Sequence, residues 1–253
     1  PIAEPSAIED ERGRVTRAVI GTFGDTVHSL IQREGESDFL PHYKPLTTGL
    51  APSSLGLSAI DHVAVSVEAG SLDYWINFYN NVLGFRQSHQ EDVTTEYTAM
   101  NSKVVQNDNG LICLPIMEPL PNKRRSQIEE YIHYYGGPGV QHIAFLCDDI
   151  VTQTRMLRER GIEFLHTPGA YYDALAARVG DFDEDISALR ELGILLDRDG
   201  SGYLLQIFSR PLHSRPTMFI ELIQRKGALG FGGGNIKALF EAIEREQARR
   251  NDW

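Results

Sequence analysis

The chain has 253 residues, of which 42% are apolar, so it is long enough for one large or two small globular domains. Its formal net charge of −11 argues against nucleic acid and anionic membrane surfaces as partners. No apolar run is long enough for a membrane helix, no basic and apolar leader precedes the first predicted domain, and Cys113 and Cys147 are the only cysteines. These features predict a soluble, cytoplasmic protein.

The N-terminal stretch resembles a segment much later in the chain. Residues 26–35 share the run Leu-Ile-Gln-Arg with residues 217–227, and Ser29 then takes the position of Glu221. We therefore predict that residues 26–35 are the last strand of another such unit whose earlier strands are missing. Residues 1–41 would be the end of that unit, in a chain that is itself a fragment. Residues 42–58, which are rich in Pro, Gly and Ser, are expected to form a linker.

The next segment has the order strand, helix, several strands. Residues 60–67 read as a strand, and residues 70–83 as a helix that ends at Gly84, because its apolar residues recur at helical spacing. Residues 94–105 and 111–116 are predicted to be strands joined by a turn at 107–110.

The same order then recurs, which is the strongest organisational signal in the chain. A strand over 140–146 and a helix over 150–160 are followed by a new strand at 161–164 and later strands at 203–208 and 217–224. Residues 167–190 are interpreted as an insertion with a helical acidic segment. A glycine-rich turn and a helix occupy 230–253, with Asn235 as the predicted N-cap.

Two histidines occupy equivalent positions in the two copies. His62 and His142 each follow an acidic or amide residue and precede an apolar run, and Glu221 lies in the last apolar strand. A buried carboxylate without a partner costs several kcal/mol, so a metal or an ion pair must neutralise it. Two histidines and one acid are a ligand set of non-haem iron sites.

Zinc with the same three ligands is the competing interpretation, but the chain has no His-Glu-x-x-His motif. The other histidines lie in polar or turn-like contexts, and we expect them at the surface: His28, His42, His89, His133, His166 and His213.

Several motifs around these residues resemble the family of 4-hydroxyphenylpyruvate dioxygenase and 4-hydroxymandelate synthase. The resemblance covers nearly the whole chain from about residue 20. The motifs are Thr95-Glu96-Tyr97-Thr98-Ala99-Met100-Asn101-Ser102, Ser126-Gln127-Ile128, Gly139-Val140-Gln141-His142-Ile143-Ala144, Leu204-Leu205-Gln206-Ile207-Phe208, Arg215-Pro216-Thr217 and Gly230-Phe231-Gly232 onward.

This resemblance implies an α+β fold of paired βαβββ modules that form a half-open barrel around a metal, closed by the C-terminal helix. Residues 59–253 would be the catalytic domain, with modules at about 59–119 and 139–225. Residues 1–41 would be the tail of an incomplete N-terminal βαβββ domain. The resemblance also implies Fe(II) held by His62, His142 and Glu221, a 2-oxo acid substrate and O2. We further expect a homo-oligomer.

By the same resemblance, a set of polar and aromatic residues would line the substrate pocket, with Gln141 beside His142. The C-terminal helix would contribute the last two members of the set. These residues are Ser102, Gln127, Gln206, Phe208, Phe231, Ile236 and Phe240.

The chain departs from the usual dioxygenase pattern at two places. Ile236 and Met117 stand where the dioxygenase usually has phenylalanine and asparagine, which resembles the synthase, whereas Pro115 and Phe240 resemble the dioxygenase. A smaller isoleucine would let the substrate ring swing, so we favour 4-hydroxymandelate over homogentisate as the product. Extradiol cleavage of catechols and metal-free binding of aromatic ligands are the more distant alternatives.

Overall fold

The computed structural model describes residues 1–35, 39–44 and 55–250. The chain forms two compact units, Pro1–Ser54 and Leu55–Trp253. The predicted linker at 42–58 lies largely outside the described residues. Among the described helices, none combines the length and the apolarity that crossing a membrane requires. The cytoplasmic location and the homo-oligomer stay predictions.

The N-terminal unit contains an antiparallel sheet of three strands in the order β1-β2-β3, which are Ala3–Asp10, Gly13–Gly21 and Val27–Glu34. Strand β3 confirms the strand predicted at 26–35. Strands β1 and β2 were not predicted, because β1 is mostly polar and exposed and gives no apolar alternation. That this sheet is the end of a βαβββ domain stays a prediction.

The first half of the C-terminal unit follows the predicted order. Its elements are β4 (Leu57–Ser66), α1 (Leu72–Leu83), β5 (Arg86–Thr94), β6 (Ala99–Gln106), β7 (Cys113–Leu120) and α2 (Gln127–Tyr135). Helix α1 is confirmed and ends at Gly84, whose φ of 69° suits glycine. The strand predicted over 94–105 is confirmed from residue 99 onward by β6, but its start is wrong. Thr95 bonds to the carbonyl of Thr98 and closes a turn there.

The second half repeats the order with an insertion. Its elements are β8 (Gly139–Cys147), α3 (Ile150–Glu159), α4 (Gly169–Asp173), α5 (Leu175–Val179), α6 (Ile186–Leu192), β9 (Leu195–Arg198), β10 (Tyr203–Phe208), β11 (Phe219–Lys226) and α7 (Gly233–Arg250). The strand predicted at 161–164 is wrong. Only Phe164 makes a bridge there, with Ser209, and β9 supplies the edge strand instead.

All strands of the C-terminal unit join one mixed sheet in the order β5-β6-β7-β4-β8-β11-β10-β9. Strands β4 and β8 are antiparallel at its centre, β4 is parallel to β7, and β8 is parallel to β11. The two halves therefore have the same internal strand order. This arrangement confirms the predicted α+β class and the paired modules.

Helix α7 starts differently from the prediction. It begins at Gly233, so Asn235 lies inside the helix and the predicted N-cap is wrong. Asp197 on β9 accepts a hydrogen bond from the backbone N–H of Gly234 at 2.7 Å and caps this end. Gly232, with a φ of 70°, makes the turn that brings the helix back over the sheet.

The packing of the second module predicts the cost of a core truncation. Leu205 is fully buried in the cluster that joins the sheet to α3, α5 and α6. We expect Leu205→Ala to lower the free energy of unfolding by about 2–5 kcal/mol, measured by urea denaturation, because it leaves a cavity. Leu111→Ala is the control, since Leu111 is 77% exposed, and should change stability by less than about 0.5 kcal/mol. Equal effects of the two substitutions would contradict this packing.

Candidate metal centre

Three neighbouring strands bring the predicted ligands together. His62 on β4 and Glu221 on β11 are both in register with Ala144 of β8, on its two sides. His142 lies two residues before Ala144 on β8. Because side chains alternate along a strand, His142 projects from the same face as its two neighbours. The convergence therefore follows from strand register.

The donor atoms are close enough to share one ion. The Nε2 atoms of His62 and His142 each lie 3.3 Å from Oε2 of Glu221, and all three donors lie within 4.8 Å of one another. The three residues are buried, with exposures of 3%, 7% and 1%. An ion at the usual distance of about 2.1 Å from nitrogen and oxygen donors fits among them.

The charges of the three groups are coupled. Burial raises the pKa of Glu221, but the two histidines outweigh it and lower that pKa to about 2. Burial lowers the pKa of His62, yet Glu221 and Asp61 together raise it to about 9. For His142, burial outweighs Glu221 and lowers the pKa. The centre thus holds an ionised carboxylate, and a divalent cation that binds must displace a proton from His62.

A second layer of hydrogen bonds orients the two imidazoles. Oδ1 of Asp61 lies 2.8 Å from Nδ1 of His62, and Arg225 holds Asp61 with two bonds of 2.8 Å. Oε1 of Gln141 lies 3.1 Å from Nδ1 of His142. With Nδ1 engaged outward, each Nε2 faces the centre, where it is the atom that can ligate a metal once it carries no proton.

A cavity opens beside the three ligands, and all three side chains line it. All seven residues predicted for the substrate pocket line it, namely Ser102, Gln127, Gln206, Phe208, Phe231, Ile236 and Phe240. The last two come from α7, so this helix forms one wall of the cavity. Oε1 of Gln127 is buried and has no hydrogen-bond partner among the described residues.

Some cavity residues were missed from the sequence. His89 and Glu91 on β5 also line the cavity, and their side chains lie 2.9 Å apart. The expectation that His89 is a surface residue is therefore wrong: its side chain is half-buried and packs near Phe231. The strand predicted over 94–105 merged the end of β5 with β6, so the alternation of side chains along β5 was not read. Met100, Val104, Pro115, Met117 and Leu239 complete the apolar walls.

Comparisons of sequence and fold relate the chain to known proteins. Residues 59–207 match the Glyoxalase/Bleomycin resistance protein/Dioxygenase superfamily. The probable 4-hydroxyphenylpyruvate dioxygenase 2 of Aspergillus fumigatus is 47% identical over 266 residues, covering 100% of this chain and 65% of that protein. The 4-hydroxyphenylpyruvate dioxygenase of Yarrowia lipolytica is 43% identical over 264 residues, covering 99% and 67%.

Among solved structures, a mutant of 4-hydroxymandelate synthase from Streptomyces coelicolor superposes with a TM-score of 0.82 at 39% identity, covering 97% of this chain and 70% of that one. The chain therefore belongs to the glyoxalase, bleomycin resistance protein and dioxygenase superfamily and, within it, to the family of 4-hydroxyphenylpyruvate dioxygenase and 4-hydroxymandelate synthase. It spans about two thirds of the length of the curated relatives it matches.

The contacts of Asp61 predict its effect on metal binding. We expect Asp61→Asn to weaken the affinity for a divalent metal by about 10–100-fold, because His62 loses its charged partner and Arg225 loses its counter-ion. Competition with a chromophoric chelator measures this affinity. Asp108→Asn, at an exposed turn, is the control and should bind as the unmodified protein does. An unchanged affinity in Asp61→Asn would show that the carboxylate does not orient His62.

Proposed function

We propose that the protein is an Fe(II)-dependent dioxygenase that decarboxylates 4-hydroxyphenylpyruvate with O2. The observation that carries the proposal is the set of His62, His142 and Glu221, whose donor atoms lie within 4.8 Å of one another at the floor of a cavity. Two imidazoles and one carboxylate with open positions are typical of non-haem Fe(II) oxygenases. The names of the relatives support the same substrate.

When bound, the iron would activate O2 and take the 2-oxo acid as a chelating ligand. The chain itself supplies the three donor atoms from one face of the sheet, and the three side chains that carry them line the cavity. The rings of Phe208, Phe231 and Phe240 wall this space and exclude water, which protects a reactive centre from side reactions.

The polar groups of the cavity would orient the aromatic substrate. Gln127 is the best candidate, because its buried Oε1 lacks a partner and could accept a hydrogen bond from the phenol hydroxyl of the substrate. Ser102 lines the same cavity from β6. A substrate held at its phenol end and at the metal has little freedom to rotate.

For the product we propose 4-hydroxymandelate, and the supporting observation is Ile236. It lies on the first turn of α7, one turn before Phe240, and both side chains line the cavity and pack on the same cluster. An isoleucine leaves more space beside the substrate ring than a phenylalanine would. Homogentisate is the second candidate, and the dioxygenase names of the sequence relatives favour it.

The ligand assignment predicts the loss of two linked activities. In the full-length protein with Fe(II), O2 uptake should match CO2 release from 4-hydroxyphenylpyruvate. His62→Ala, His142→Ala and Glu221→Ala should each reduce both by more than about a thousandfold, because the metal loses a ligand. An O2 electrode and trapped CO2 measure them.

His213→Ala, at an exposed loop residue, is the matched control and should keep full activity. Turnover retained in any of the three ligand variants would refute the assignment. Cleavage of a catechol without an oxo acid would indicate an extradiol dioxygenase. Tight binding of aromatic ligands without metal and without O2 uptake would indicate a metal-free binding protein.

The cavity wall predicts how the product ratio changes. Ile236→Phe should move the products toward homogentisate, because a shift of about one ångström in ring position can change which carbon faces the centre. Chromatography of one incubation measures the ratio. Ile236→Leu keeps the side-chain volume and is the control, with little change expected. An Ile236→Phe ratio equal to that of the unmodified protein would exclude Ile236 as the determinant.

A further inference from the structure

The oxygen of Glu221 that does not face the histidines is held by Gln206. Nε2 of Gln206 donates to Oε1 of Glu221 at 2.8 Å and to the carbonyl of Phe231 at 3.3 Å. Oε2 of Glu221 is the atom between the two imidazoles. The contact with Gln206 therefore leaves Oε2 for a metal while it fixes the plane of the carboxylate.

Gln206 is in turn held by a series of hydrogen-bonded side chains, which come from α7 and from the insertion. Its Oε1 accepts a hydrogen bond from Nδ2 of Asn235 at 2.9 Å. Oδ1 of Asn235 accepts one from the hydroxyl of Tyr171 at 2.6 Å. Asn235 and Gln206 are fully buried, so water does not compete for these bonds.

The contacts of Tyr171, at the outer end of this hydrogen-bond series, determine which groups in the series donate. The hydroxyl oxygen of Tyr171 accepts from the backbone N–H of Leu196 at 2.9 Å and from Arg178 at 2.7 Å. A hydroxyl has two lone pairs and one proton, so with both lone pairs engaged the proton must be donated. The hydroxyl lies 2.6 Å from Oδ1 of Asn235 and 2.8 Å from the carbonyl of Leu196. That carbonyl already accepts from Arg178, whereas Oδ1 of Asn235 has no other donor among the described residues, so we assign the proton to Asn235. Arg178 is itself anchored to Asp197 at 2.8 Å.

The flipped orientation of the Asn235 amide, in which its oxygen and nitrogen exchange places, is less favourable. It would bond to Tyr171, to the carbonyl of Leu196 at 3.2 Å and to the N–H of Asp197 at 3.3 Å. However, it places two acceptors, Oδ1 of Asn235 and Oε1 of Gln206, 2.9 Å apart. Gln206 would then also have to reverse, and its oxygen would face the Glu221 carboxylate. A carboxylate accepts and does not donate. The orientation in which Nδ2 of Asn235 donates to Gln206 is therefore the one compatible with an ionised Glu221.

We propose that Tyr171 and Asn235 are positioning residues of the metal centre, which act through Gln206 to hold Glu221 in its metal-binding orientation. This inference rests on the proposed function of that centre. It also assigns Gln206 a different role from substrate binding, because both ends of its amide are engaged within the chain. The backbone supports the arrangement: a Cβ on Gly232 would lie 2.6 Å from Oε1 of Gln206, so a larger residue there would displace the amide from its present position.

The first test uses Co(II) as a spectroscopic probe of the centre in the full-length protein. Tyr171→Phe should weaken Co(II) binding by about tenfold and shift its visible absorption, because Glu221 gains freedom to rotate. Tyr172→Phe is the matched control. It removes a neighbouring buried hydroxyl that is not part of the hydrogen-bond series from Tyr171 to Glu221. It should leave the Co(II) affinity and the absorption spectrum unchanged. Asn235→Leu should behave as Tyr171→Phe does and provides a second variant.

A double-mutant cycle separates this role from general destabilisation. In a Gln206→Leu background, adding Tyr171→Phe should change Co(II) affinity by less than about twofold, since the intermediary is already lost. The inference is overturned if Tyr171→Phe alone binds Co(II) within twofold of the unmodified protein and with the same spectrum. It is also overturned if the losses of Co(II) affinity caused by Tyr171→Phe and by Gln206→Leu add in the double variant. An unmodified protein that does not bind Co(II) would overturn the metal centre itself, which is a distinguishable failure.

Discussion

The structure depends on one constraint, the burial of the Glu221 carboxylate at the centre of an eight-stranded sheet. A charge in that position must be neutralised and hydrogen-bonded, and the chain does both. The two imidazoles contact Oε2 of Glu221, and the amide of Gln206 donates to its Oε1. The register of β4, β8 and β11 around Ala144 fixes where these groups stand. Because the register is held by backbone hydrogen bonds, the sheet itself sets the positions of the three side chains.

Around this centre the protein separates two kinds of polar group. One kind is fully engaged inside the chain: Asp61 with Arg225, and Gln206 with Asn235. These groups orient ligands and are not available to a substrate. The other kind faces the cavity with bonding capacity to spare, as Gln127 does. This division leaves hydrogen-bonding capacity in a mostly apolar cavity while the three metal-binding side chains stay oriented.

The C-terminal helix connects these two sets. Its first turn carries Asn235, which faces the hydrogen-bond chain to Glu221, and Ile236, which faces the cavity. The helix is tied to the sheet through Asp197, which caps Gly234 and pairs with Arg178. The position of one helix therefore determines both the shape of the cavity and the support of Glu221.

The sequence by itself determined the kind of site and the repeat that builds it. The paired histidine motifs and Glu221 are readable because they are polar residues in strands that are otherwise apolar, and α1 is readable from its spacing and its terminal glycine. Only the tertiary structure decided that His89 faces the cavity and that Asn235 supports Glu221. Such contacts depend on which edge a mostly polar strand joins and on how closely a glycine turn passes the sheet, and local sequence patterns do not contain that information.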